Sequence, residues 1–244
     1  MYEILTDLNI LHEAYLQCKK GVEWKESVQR YGMYELLNIA ELSESFKNHT
    51  YRQKPFYEFD INERGKKRHI KSLHISDRVL QRALCDDILT PATKKYLIYD
   101  NGASVKGKGI EFTRKRLQAH LEKYYRRYGR DGYVLQIDFS KYFDNIDHKQ
   151  VLRLFAKHIN DAETMQLFTE LVATFGDGGK GVGIGSQISQ IIGIYYPTEI
   201  DNYCKIVKGC KYYGRYMDDT PLPHAPAAAP PEASEKGQYS IPVR

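Results

Sequence analysis

Two extended runs, each ending on carboxylates, constrain this 244-residue chain more than any other feature. The first, Gly132-Tyr133-Val134-Leu135-Gln136-Ile137, is apolar toward both faces and β-branched, so it reads as a short buried strand, and it ends at Asp138. The second, Lys211-Tyr212-Tyr213-Gly214-Arg215-Tyr216, reads as extended and leads through Met217 into Asp218 and Asp219. Adjacent carboxylates at a strand tip repel one another, a costly arrangement unless a cation neutralises it. Hard divalent ions, Mg²⁺ above all, suit such an all-oxygen site. Three carboxylates on neighbouring strands could hold two such ions roughly 3.5–4 Å apart, the arrangement that serves nucleotidyl transfer. The same residues also suit a plain turn at Asp218-Asp219 and a loop beginning at Asp138.

Around these runs the pattern is mostly helical. Apolar positions at helical spacing between about Thr6 and Asn48 (Leu8, Leu11, Tyr15, then Leu36, Leu37, Ala40), with Gly21 and Gly32 as breaks, predict a helical N-terminal region. Alternation over Phe56–Ile61, turn chemistry at Asn62-Glu63-Arg64-Gly65 and a second run at Arg68-His69-Ile70 predict a hairpin with a basic tip. Ser76 is a candidate cap for a helix through Val79, Leu80, Ala83, Leu84 and Ile88, ended by Thr90-Pro91. A glycine-rich turn from Asn101 to Gly109 leads into a basic helix from about Ile110 to Arg127. Helices follow near His148–His158 and Ala162–Thr174, and another begins near Gln187 after the glycine cluster Gly176–Gly185. From Pro221 the chain is rich in Pro and Ala without apolar periodicity, which predicts an unfolded or polyproline-like tail over 221–244.

Composition narrows the class. With 42% hydrophobic and 27% charged residues the chain can build a sizeable core, which argues against a disordered polymer. A net charge of +5 favours a polyanionic partner only mildly, and 20 tyrosines offer rings for base stacking as readily as for half-buried packing. Cys18, Cys85, Cys204 and Cys210 form no CxxC pair, so neither a zinc site nor a disulfide framework is indicated, and they read as reduced thiols. The acidic N-terminus MYEILTDLNI lacks the features of a signal peptide, and no stretch nears the roughly 20 apolar residues of a membrane helix. The expectation is a soluble, cytoplasmic protein without a membrane partner.

Tyr216-Met217-Asp218-Asp219 resembles the Y-x-D-D signature of reverse transcriptases, and the segment Asp138-Phe139-Ser140-Lys141-Tyr142-Phe143-Asp144-Asn145-Ile146-Asp147-His148 resembles their first carboxylate motif. Between them Gly183-Ile184-Gly185-Ser186-Gln187-Ile188-Ser189-Gln190 resembles the loop and helix that contact the incoming nucleotide and template. It departs from the frequent Q-G-x-x-x-S-P pattern in the direction of diversity-generating retroelements, and defence-associated bacterial relatives also vary here. Lys66-Lys67-Arg68-His69-Ile70 and the run Asp77–Leu84 resemble the fingers of retroelement polymerases.

The resemblance, which covers about Tyr51 to Asp219, implies an α+β chain: a right-hand polymerase with a helical extension at 1–50, fingers at 51–132 and a palm at 133–220 that includes some fingers elements. The palm would be built on a ferredoxin-like antiparallel sheet, with the thumb missing. It implies Asp138, Asp218 and Asp219 as the catalytic, metal-holding triad. Phe143 would sit where an aromatic excludes a ribose 2′-hydroxyl, and is equally suited to a core. Arg68, Lys66, Gly185, Gln187, Ser189 and Gln190 would face the nucleotide, while Lys106, Lys108, Arg114, Arg116 and Tyr216 would face template or primer. Basic residues at the hairpin tip and on the helix are also ordinary solvated charges. The implied cofactor is Mg²⁺, and the implied partners are an RNA template, a DNA or RNA primer, deoxynucleoside triphosphates and an accessory protein of the retroelement.

The likeness stops at Thr220-Pro221-Leu222-Pro223, where the family requires an apolar return strand and proline is a poor strand former. The expectation is a chain truncated after the Asp pair, weak or inactive as a polymerase by itself. A catalytically silent nucleic-acid-binding fragment and an unstable product are the alternatives.

Overall fold

The computed structural model describes residues 1–63, 65–130, 133–176 and 178–224, with positions 63, 66, 68, 133 and 221–224 given by their backbone. Arg64 and the tail from 225 onward lie outside the described residues, as do the side chains of the candidates Lys66 and Arg68. Two compact units emerge. The first comprises Met1–Tyr99 with Phe139–Tyr203, and the second Asp100–Asp138 with the chain from Cys204 onward.

The first unit is a helical body with one hairpin. Its N-terminal helices are α1 (Leu8–Lys19), α2 (Glu26–Met33) and α3 (Glu35–Lys47). The Asp7 carboxylate caps α1 by accepting from the backbone N–H of Asn9 (2.7 Å) and of Ile10 (3.3 Å). Gly32, expected as a break, lies inside α2, because a Cβ there would come within 2.7 Å of the Tyr15 hydroxyl on α1. Glycine is what lets these two helices approach. Helix α1 packs along α4 (Ile75–Ala83), so Leu11, Tyr15, Val79 and Leu80 share one buried core.

Helix α4 begins one residue before Ser76, and the cap is His74, whose Nδ1 accepts from the Ser76 N–H at 3.4 Å. Nor does it stop at Thr90-Pro91. A π-helical turn, Leu84–Leu89, carries it into α5 (Thr90–Lys94), with Pro91 in the first turn, where a missing N–H is tolerated. The π-turn places Leu84, Cys85, Ile88 and Leu89 all in the core, each wholly buried.

The rest of the unit is α7 (Tyr142–Asn145), α8 (His148–Ala156), α9 (Ala162–Ala173), α10 (Gln187–Tyr195) and α11 (Thr198–Asn202). Asp147 and Asp161 cap α8 and α9 through the N–H groups of Gln150 and Thr164. Phe155 sits with ring centroids 4.7 Å from Phe168 and 5.0 Å from Tyr195, tying these three helices together.

The hairpin pairs β1 (Tyr57–Glu63) with β2 (Lys66–Ser72), Glu58 opposite Lys71 and Asp60 opposite His69. On that face His69 reaches both Asp60 (2.9 Å) and Glu58 (3.2 Å), and Lys67 reaches Asp60 at 2.9 Å. Alternation then puts Tyr57, Phe59 and Ile61 on the opposite face, all exposed.

The second unit contains α6 (Ile110–Tyr128) and an antiparallel pair, β3 (Tyr133–Ile137) with β4 (Thr220–His224). Two expectations are corrected here. Strand β3 is not buried: Val134 (52%) on one face and Leu135 (45%) and Ile137 (37%) on the other stay exposed in this two-stranded sheet. The expected tail over 221–244 is corrected at its first residues, where 220–224 forms β4 despite Pro221 and Pro223.

Register explains how the prolines are tolerated. Tyr216 and Asp219 exchange two backbone hydrogen bonds (2.8 and 3.0 Å), so Asp219 points its polar backbone toward Tyr216. By alternation Pro221 and Pro223 point the same way, while Thr220, Leu222 and His224 face β3. The missing N–H groups therefore fall on the edge away from β3 and prevent pairing with 211–215 instead. Accordingly Lys211–Tyr216, expected as a strand, is a turn at Lys211 and Tyr212 and irregular at Tyr213 and Gly214, with bridges only at Arg215 and Tyr216. The four strands make two separate two-stranded sheets rather than one ferredoxin-like sheet among the described residues. The class is α+β.

Candidate functional site

Asp138, Asp218 and Asp219 lie at one end of the β3–β4 pair. Ile137 is opposite Thr220, so the next step along both strands sets Asp138 opposite Asp219. Met217 and Asp218 form the two-residue turn between Tyr216 and Asp219, and Met217 adopts φ +55°. A left-handed conformation costs an L-residue roughly 1–2 kcal/mol, and such strain gathers where the surroundings fix a functional geometry.

The fixing comes from beneath. Arg215 is wholly buried, and its Nη1 donates to the Met217 carbonyl at 2.8 Å. Its backbone N–H donates to the Asp100 carbonyl (3.1 Å) and its carbonyl accepts from Gly102 (3.1 Å). The buried Asp100 carboxylate accepts from Arg116 Nε (2.5 Å) and Lys205 Nζ (2.8 Å), with His120 3.5 Å away. Burial pushes the Asp100 carboxyl up, but these cationic donors outweigh it and hold it below the ordinary carboxylate value. On the other side, Thr220 Oγ1 donates to the Ile137 carbonyl at 3.0 Å, joining the turn to β3.

Asp218 is half-buried, whereas Asp138 and Asp219 are exposed. Burial raises the Asp218 pKa; the negative charges of Asp219 and Asp138 raise it further, and its own backbone N–H and Arg215 oppose the rise. This is the mutual repulsion that a cation relieves. The donor set therefore suits a hard divalent ion. The spacing does not yet enclose one: among the described residues no group of three His, Cys, Asp or Glu side chains is gathered closely enough to hold a metal.

The other candidates divide between the units. In the second, Arg114 pairs with Glu111 on the exposed face of α6 (2.9 Å), Lys108 Nζ lies 4.7 Å from the Phe112 ring centroid, Lys106 is exposed and Tyr216 half-buried. Arg116 is engaged by Asp100, so its side chain serves the support beneath the turn. In the first unit Phe143 is half-buried edge-on to Tyr142 (5.3 Å), and its carbonyl accepts from Val182. Gly185 takes φ +108° ahead of α10. Ser189 is buried against the Ser186 cap (2.7 Å between hydroxyls), Gln190 is exposed, and Gln187 donates to Asp86 at 2.7 Å. Arg215 and Asp100 were not singled out from sequence; the one available hint was a charged residue directly before Tyr216-Met217-Asp218-Asp219.

Two solved assemblies resemble this chain in fold. A partial Cas6-RT-Cas1–Cas2 complex and a Cas6-RT-Cas1–Cas2 complex each match with a TM-score of 0.52 at 14% sequence identity. The match covers 90% of this chain, which spans only 37% and 23% of the respective chains. At this identity the likeness is one of fold, shared with complexes that contain a reverse transcriptase. No protein-family profile and no curated protein matches the sequence. No helix among the described residues is long and apolar enough to cross a membrane.

Proposed function

We propose that this chain carries the polymerase site of a bacterial retroelement reverse transcriptase, an RNA-directed DNA polymerase, with Asp138, Asp218 and Asp219 as the carboxylates that hold Mg²⁺. The observation that supports this most is the convergence of the three on one end of β3–β4, with Asp218 on a strained turn locked from below by Arg215. Asp138, Asp218 and Asp219 would hold divalent ions whose chemistry would be activation of a 3′-hydroxyl and neutralisation of the departing pyrophosphate. The chain's own part is positional: Arg215 fixes the turn and Thr220 fixes it to β3. RNA template and DNA or RNA primer are the partners, and a diversity-generating or defence element with an accessory protein is the context we favour.

A second reading, a nucleic-acid-binding chain without catalysis, draws support from the open spacing of the carboxylates and the exposure of β3. A misplacement of about 1 Å can cost on the order of 10²-fold in rate. Primer extension on poly(rA)/oligo(dT) with Mg²⁺ separates the two readings. The proposal expects slow incorporation that disappears in Asp218→Asn, Asp219→Asn. Incorporation by neither protein, with RNA still bound, favours the second reading.

A further inference from the structure

Among the described residues all four cysteines are thiols, and they divide by setting. Cys85 is wholly buried, and burial holds its thiol well above the ordinary value. Cys18 donates to the Arg78 carbonyl at 3.4 Å, and burial pushes its thiol up to about 11. Cys204 and Cys210 are half-buried in the second unit, on either side of a chain reversal. A π-helical turn, Tyr203–Val207, carries Cys204, and Gly209 at φ +63° then sends the chain back. The Cys210 backbone N–H donates to the Cys204 carbonyl at 2.9 Å. Such a bond sets the two Cα atoms about 5–6 Å apart, within the span that a disulfide bridges.

We infer that Cys204 and Cys210 form a reversible oxidation site, a thiol pair that hydrogen peroxide converts to an intrachain disulfide. One thiolate attacks a peroxide oxygen, giving a sulfenic acid, and the hydroxide released takes up the thiol proton as water. The second thiol attacks the sulfenic sulfur, and the hydroxyl leaves with its proton as a second water. Two electrons pass from the two sulfurs to the peroxide. The disulfide closes the loop that carries Lys205, whose Nζ donates to the Lys211 carbonyl (3.3 Å) and to the Asp100 carboxylate (2.8 Å). Cys210 leads directly into Lys211–Arg215, the segment whose Arg215 N–H donates to the Asp100 carbonyl beneath the Asp218 turn. Oxidation therefore ties down the support of that turn. A closed loop restricts the unfolded chain, so the oxidised form is the more stable one. The site uses none of the three carboxylates and does not depend on the polymerase reading.

The test treats the full chain with hydrogen peroxide, alkylates the remaining thiols with iodoacetamide in denaturant, and digests with trypsin without reductant. Cleavage at Lys180, Lys205, Lys208 and Lys211 separates the two cysteines, so mass spectrometry reads a disulfide as peptide 181–205 joined to peptide 209–211. The expected result is that linked pair, lighter by two hydrogens than the separate peptides and released by dithiothreitol, with Cys18 and Cys85 alkylated. The wild type should also melt a few degrees higher oxidised than reduced, a shift absent from Cys204→Ser, Cys210→Ser. Sulfinic acid on either cysteine alone, pairing of either with Cys18, Cys85 or a second chain, or no reaction overturns the site. A linked protein that melts no higher than the reduced one overturns its role in the support.

Discussion

The two compact units reach order by different physics. In the first, apolar periodicity is met by burial: Leu11, Val79, Leu80, Phe155 and Phe168 lie on helices and are sealed in the core. In the second, the strand that leads to Asp138 leaves Val134, Leu135 and Ile137 exposed, and the turn bearing Asp218 rests on Arg215 and the Asp100 ion network. The contrast teaches that the scaffold is a hydrophobic object, while the candidate site is an electrostatic one.

Paired truncations probe the contrast most strongly. Phe168→Ala should destabilise the first unit by about 3–5 kcal/mol, whereas Val134→Ala on β3 should stay within about 0.5 kcal/mol. Urea unfolding reads both, and comparable losses would erase the distinction. Next in size, Asp100→Asn leaves Arg116 and Lys205 without their buried partner and should cost about 3 kcal/mol.

The same network gives the second unit an acid limit. Burial holds His120 below its ordinary pKa, so the unfolded chain takes up that proton first and stability falls as pH drops through the usual imidazole range. Asp100, depressed overall, contributes stability that is present above the ordinary carboxylate value and lost as pH falls through its lower folded value. Melting against pH should show the second step in the wild type and not in Asp100→Asn. The smallest effect belongs to the site itself. Asp218 is raised, so its ionised form is disfavoured in the fold, and Asp218→Asn should stabilise by a few tenths of a kcal/mol at neutral pH once solvent screening is allowed for. That gain should vanish where Asp218 is already protonated.

Much of the scaffold was legible in sequence. Helices α6, α8, α9 and α10 and the first hairpin lie where the sequence placed them, whereas the caps Asp147 and Asp161 were not singled out. The misses have local causes. Pro91 sits in a helix because a π-turn precedes it, and Pro221 and Pro223 sit in a strand because their blocked edge faces away from β3. The β-branched run at 134–137 suggested burial, yet propensity says nothing of how many strands will cover it. The three carboxylates stood out by motif and do share one sheet end. Arg215 and Asp100 did not stand out, because the backbone hydrogen bond between them and the Lys205–Asp100 ion pair each join residues more than 100 positions apart and leave no periodic trace.

Calorimetric titration of Mg²⁺ into the full chain tests the proposed divalent-cation site at the carboxylate end of β3–β4. The account predicts saturable binding by the wild type that is abolished in Asp218→Asn, Asp219→Asn and weakened in Asp138→Asn. Indistinguishable isotherms for the wild type and the folded double variant would contradict it.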